Sequence, residues 1–215
     1  MKQIIWWIKR EWWAEGGKTS LLSALIYPII ATYILHLIIK DSAVLWWTAL
    51  FWLILLLSTM FAIGRWTLSD QSEKKFFYYL HIKPLNFFFA RLAYATLINL
   101  AIFIELILLL MLWRPFEFTP KQFSFWLLTN LLSTITITIL FVVVELISSY
   151  TKGGTLLFAV LTLPLALPIL ASFLHLSFHI LETGTLYISD LILPIALTIM
   201  ILSAGTLLVP YLWRQ

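Results

Sequence analysis

The sequence contains no cysteine, so disulfides, thiolate catalysis and cysteine-ligated metals or clusters are excluded. Charge is scarce. Asp, Glu, Lys and Arg make up 11% of the chain, against about 25% in a typical soluble domain. So few charges cannot coat a globule in water, which excludes a soluble enzyme. The formal surplus of +4 is too small to argue for a nucleic-acid partner. Long polar segments are missing as well. No stretch between the apolar runs exceeds 28 residues, too short to fold as an ATPase, a receptor or a catalytic domain. Any use of metabolic energy therefore calls for a partner subunit. Aromatics are plentiful (16 Phe, 11 Trp, 8 Tyr), which excludes a disordered chain.

What remains is apolar: 62% of residues are hydrophobic. A helix needs about 20 mostly apolar residues to cross a bilayer core. Six runs meet this: 21–39, 43–63, 92–113, 123–147, 155–174 and 191–209. None alternates with period two, so helices and not barrel strands are expected. The expected fold is an all-α integral membrane protein, a single transmembrane domain over 1–215. Eleven Lys and Arg fall on one side of these runs: Lys2, Lys9, Arg10, Lys18, Arg65, Lys74, Lys75, Lys83, Arg91, Lys152 and Arg214. Three fall on the other: Lys40, Arg114 and Lys121. The bias places both termini in the cytoplasm. The first run is too long for a signal peptide and lacks a small-residue cleavage site, so it is expected to stay.

Residues 1–17 read as an interfacial helix, with Trp6, Trp7, Trp12 and Trp13 beside Lys9 and Arg10. It serves either as a plain anchor or as an elbow touching a cytoplasmic partner. Gly16-Gly17-Lys18-Thr19 looks like the tail of a phosphate-binding loop. The earlier glycine of that motif is replaced by Trp12, so the glycines are expected to end the helix instead. In the 28-residue loop, Asp70 and Glu73 have capping-box spacing and introduce a short helix over 71–82 that stops before Pro84. Phe76, Phe77 and Leu80 share one face, while Lys74, Lys75 and Tyr78 lie mostly elsewhere. Such a helix either docks on a soluble subunit, with Asp70, Glu73, Lys74, Phe76, Phe77, Tyr78 and Leu80 as candidate contacts, or lies on lipid. Lys152-Gly153-Gly154 is a tight turn, either a simple connection or a second docking contact. Pro164 and Pro168 sit four apart in the fifth run and mark a kink, a pivot or a re-entrant stretch.

The order of these features resembles the haem exporter B subunit (CcmB) of the cytochrome c maturation system. The resemblance rests on the basic N-terminal helix and on the loop from Leu68 through Asp70, Glu73 and Phe76-Phe77-Tyr78-Tyr79-Leu80 to Lys83-Pro84-Leu85. It rests above all on Lys152-Gly153-Gly154 leading into Leu163-Pro164-Leu165-Ala166-Leu167-Pro168. It implies an ABC-transporter permease of the exporter, type-2-like kind in a bacterial inner membrane. Its implied partners are an ATPase subunit that binds ATP, further cytochrome c maturation membrane subunits and a second copy of the chain. Haem is the implied cargo, either passed by this subunit or released with its chaperone by ATP-driven motion. The short helix over 71–82 then becomes a coupling helix.

The apolar runs hold a few polar side chains. Glu105 lies mid-span and should face protein or water, because an intramembrane acid costs at least about 2.5–3.5 kcal/mol on insertion scales. Asn130, Thr134, Thr138 and Glu145 fall within one helical stripe, with Glu145 close enough to the inner end to reach the headgroups. The stripe either lines a path or makes interhelical hydrogen bonds. His175 and His179, one turn apart, have ligand spacing but no third ligand nearby, and no metal site is expected. Glu105 and Glu145 stand on different runs with no motif around either, so an intramembrane enzyme is not expected. The remaining alternatives are a permease for lipid, drug or polysaccharide, and a passive assembly scaffold.

Overall fold

The computed structural model describes residues 15–38, 44–69, 83–113, 119–151 and 154–212. Among the described residues every regular element is a helix. There are six: α1 (Glu15–Ile38), α2 (Val44–Ser69), α3 (Pro84–Trp113), α4 (Pro120–Ser149), α5 (Gly154–Thr183) and α6 (Ile188–Leu212). The last four are long and apolar enough to cross a bilayer, as expected of an integral membrane protein. The side chains described in α1 and α2 form shorter apolar stretches, Ala24–Leu37 and Thr48–Gly64.

The helices run past the apolar runs that announce them. α3 starts at Pro84, eight residues before Leu92, and α5 ends at Thr183, nine residues after Leu174. Apolarity records what prefers lipid, whereas a helix continues until backbone chemistry stops it. Pro84 and Pro120 sit at first helical positions, where a missing N–H costs nothing. Thr119 completes the start of α4 with a capping box. Its hydroxyl accepts from the Gln122 N–H, and the Gln122 side chain accepts from the Thr119 N–H at 3.1 Å. The expected 16-residue connection before the last run is therefore only 184–187, a turn that Gly184 closes at φ 68°. Gly16 and Gly17 do not end a helix but lie in the first turn of α1. A glycine penalty of about 1 kcal/mol each is small beside the apolar run that follows. Pro164 and Pro168 both lie within α5, which passes both prolines without a re-entrant break.

α4 is the hub, packing on α2, α3, α5 and α6, while α1 covers α2 and α3. Towards the Trp113 end of α3, Trp52 stacks on Phe173 with ring centres 5.9 Å apart, and Phe51 meets Trp126 at 5.4 Å. Two glycines allow close approach. A Cβ on Gly64 would lie 3.0 Å from the Phe158 ring, and one on Gly205 would lie 2.6 Å from Val143.

Candidate functional site

The polar side chains inside the bundle collect on α4 and the helices facing it. Asn130, Thr134, Thr138 and Glu145 are all buried, as the single stripe requires. Spacings of four and seven keep them on one side of the helix. Three of them bond back to their own helix. The Asn130 Nδ2 donates to the Trp126 carbonyl at 2.6 Å, the Thr134 hydroxyl to the Asn130 carbonyl at 2.8 Å, and the Thr138 hydroxyl to the Thr134 carbonyl at 2.6 Å. This back-bonding satisfies a hydroxyl where no water competes.

Two bridges then leave α4. Asn99 of α3 donates through Nδ2 to the Thr138 hydroxyl at 2.7 Å, and its Oδ1 lies 3.1 Å from the hydroxyl of Thr59 on α2. A polar line thus joins α2, α3 and α4. The second bridge is ionic. Arg91 Nη2 donates to Glu145 Oε1 at 2.7 Å, with the arginine side chain 8% exposed and the glutamate fully buried. The Phe87 ring, one turn before Arg91, lies 5.4 Å from the guanidinium carbon. A charge-assisted bond between a guanidinium and a carboxylate falls at this length, and either charge alone would be very costly here.

These contacts correct two expectations. Arg91 does not belong to a cytoplasmic loop; it lies two turns inside α3. Glu145 does not reach towards headgroups but turns into the bundle. The common cause is their pairing, which neutralises both charges. Sequence reading also missed Asn99 and Thr59, whose isolation in apolar runs gave no signal. Glu105 stands apart from the stripe. It is half-buried between exposed Ile104 and Leu108, and its Oε2 has no hydrogen-bond partner among the described residues.

The other candidates are dispersed. Gly154 opens α5, and Pro164 and Pro168 lie on its exposed side. Asp70, Glu73, Lys74, Phe76, Phe77, Tyr78 and Leu80, with Lys152 and Gly153, lie outside the described residues, as does residue stretch 1–14 of the expected interfacial helix. His175 is exposed, and His179 Nδ1 stands 3.7 Å from Asp190 Oδ2 beside the Tyr187 ring. Among the described residues no three His, Cys, Asp or Glu are placed to hold a metal. No family model matches the chain, and no curated protein or solved structure matches it.

Chemically the arrangement is one of closure. The α4 stripe is buried, with Asn130, Thr134 and Thr138 bonded to their own helix and Thr138 also to Asn99 of α3, while the Asn130 Oδ1 has no hydrogen-bond partner among the described residues. It lies inside the bundle and joins α4 to α3.

Proposed function

We propose that this chain is the permease subunit of an ABC-type export complex acting in haem handling for cytochrome c maturation. It spans the bacterial inner membrane six times with both termini in the cytoplasm. A partner ATPase binds the ATP, and the coupling helix over 71–82 meets that partner. The observation that carries the reading is architectural. Six apolar helices are joined by connections of at most 14 residues (70–83), which leave no room between helices for a nucleotide-binding domain. The motif residues fit this plan. Lys83-Pro84 opens α3, and the Leu163–Pro168 segment lies within the helix that Gly154 begins.

The test is purification of the chain from native membranes together with deletion of its gene. An ABC-type ATPase should co-purify, Phe77→Asp should remove it while the chain still inserts, and the deletion strain should fail to mature cytochrome c. A full complement of ATPase on the Phe77→Asp variant would lay 71–82 on lipid. Normal cytochrome c in the deletion strain would remove haem handling and leave a permease for another cargo. No ATPase on the unaltered chain would reduce the protein to a scaffold.

A further inference from the structure

We infer that the Arg91–Glu145 pair is a positioning clamp that fixes the register of α3 against α4 at one end of the bundle. Its place in the fold is the first argument. Arg91 lies seven residues after Pro84 and Glu145 four residues before Ser149, so the pair ties the beginning of one helix to the end of the next. That end of the bundle carries both the connection over 70–83 and the turn at 150–153. The Asn99–Thr138 bond, eight residues on along α3 and seven back along α4, sets a second point of the same antiparallel register. Two fixed points on two rods leave no freedom to slide.

The second argument is the chemistry of the pair. Burying two charges is expensive, and well-packed apolar residues of similar volume are often as stabilising or more so. Apolar side chains would hold α3 to α4 by van der Waals packing alone, which penalises a small shift of register less than breaking a buried ion pair does. A buried guanidinium and carboxylate 2.7 Å apart must stay within bonding reach of each other, because separating them would leave both charges in the apolar interior. Fixing position is what an ion pair does here that leucines cannot. The clamp rests in part on the proposed permease reading, in which force arrives through 71–82 and the turn at 150–153. A push on either loop then moves α3 and α4 as one body.

The absence of native cysteine makes the test direct. Spin labels go on Leu85→Cys and Thr151→Cys, two exposed positions flanking the pair. Their separation is read by pulsed electron resonance on the full chain in lipid nanodiscs. With Arg91 and Glu145 intact, one narrow distance population is expected. With Arg91→Met and Glu145→Met together, the melting temperature should equal or exceed that of the parent while the population splits or broadens at least twofold. The exchanged pair, Arg91→Glu with Glu145→Arg, should restore a single population. An unchanged narrow population in the apolar double variant would overturn the clamp. So would failure of that variant to fold, because the pair would then supply stability and not position. The measurement uses the chain alone, so it stands whether or not an ATPase binds. The permease reading fails separately, if the unaltered chain recruits none.

Discussion

The 18-residue apolar windows of α4 and α6 have nearly the same mean hydropathy, yet 78% of the α4 window is buried inside the bundle against 22% of the α6 window. α4 carries Asn130, Thr134, Thr138 and Glu145 within that buried surface. α6 turns Ile192, Ile199 and Leu207 outward, each more than 60% exposed. The difference inverts the rule for soluble proteins. In lipid an apolar side chain gains little by moving inward, whereas a polar one must find a partner. The polar residues of α4 are therefore drawn to the centre of the bundle, while the outward side of α6 is mostly apolar. α6 is held by small features: Gly205, which fits between Val143 and Phe88, and a hydroxyl contact of 2.6 Å between Thr198 and Thr136.

The sharpest way to break this contrast is to strand one charge at the centre. Arg91→Met alone leaves the Glu145 carboxylate buried, and Glu145→Met alone leaves the guanidinium. Either should cost about 3–5 kcal/mol. The expected outcome is loss of folded protein from the membrane fraction, read by detergent-extracted yield and thermal unfolding. Equal yields of single and double Met variants would mean that the bundle tolerates the loss of either member of the pair.

A smaller effect is expected on α6, where geometry and not polarity decides. Gly205→Leu would drive carbon into Val143 and the Phe88 ring and should cost about 1–3 kcal/mol by overpacking. Leu207→Val, two residues on and pointing outward, should stay within about 0.5 kcal/mol. Thermal unfolding of both variants in one detergent checks the pair. Matching losses would show that α6 is packed on every side.

A further small effect belongs to the hydrogen-bonded line. A double-mutant cycle on Asn99→Leu and Thr138→Val should return a coupling of about 0.6 kcal/mol and no more than about 1.7 kcal/mol. A coupling near zero would make that bond incidental to the register.

Much of this contrast can be read from the chain, and the rest cannot for a physical reason. Spacing alone places Asn130, Thr134, Thr138 and Glu145 on one face, because periodicity is local. Arg91 stands beside the apolar run that opens at Leu92, so composition alone assigns it to water. Its burial depends on a carboxylate 54 residues away. A signal did exist. A buried Glu145 demands a cation at matching depth, and counting inward from both ends of that side leads to Arg91. Asn99 and Thr59 offered no such demand, since a lone amide or hydroxyl in an apolar run can bond to its own backbone. The starts at Pro84 and Pro120 carried a signal, a proline at each and a capping box at Thr119, that the apolar runs from 92 and 123 passed over, and α5 continued through polar flanks that carry no such mark.

The pairing of Arg91 with Glu145 also has a consequence for how the chain is made. α3 leaves the ribosome before α4, so the guanidinium arrives first and waits. Until Glu145 follows, the nascent hairpin carries an uncompensated cation, a liability of roughly 2.5–3.5 kcal/mol at full depth and less near a helix end. The fourth helix thus supplies the carboxylate that the third needs, and the charge balance of the two is complete only when both are made.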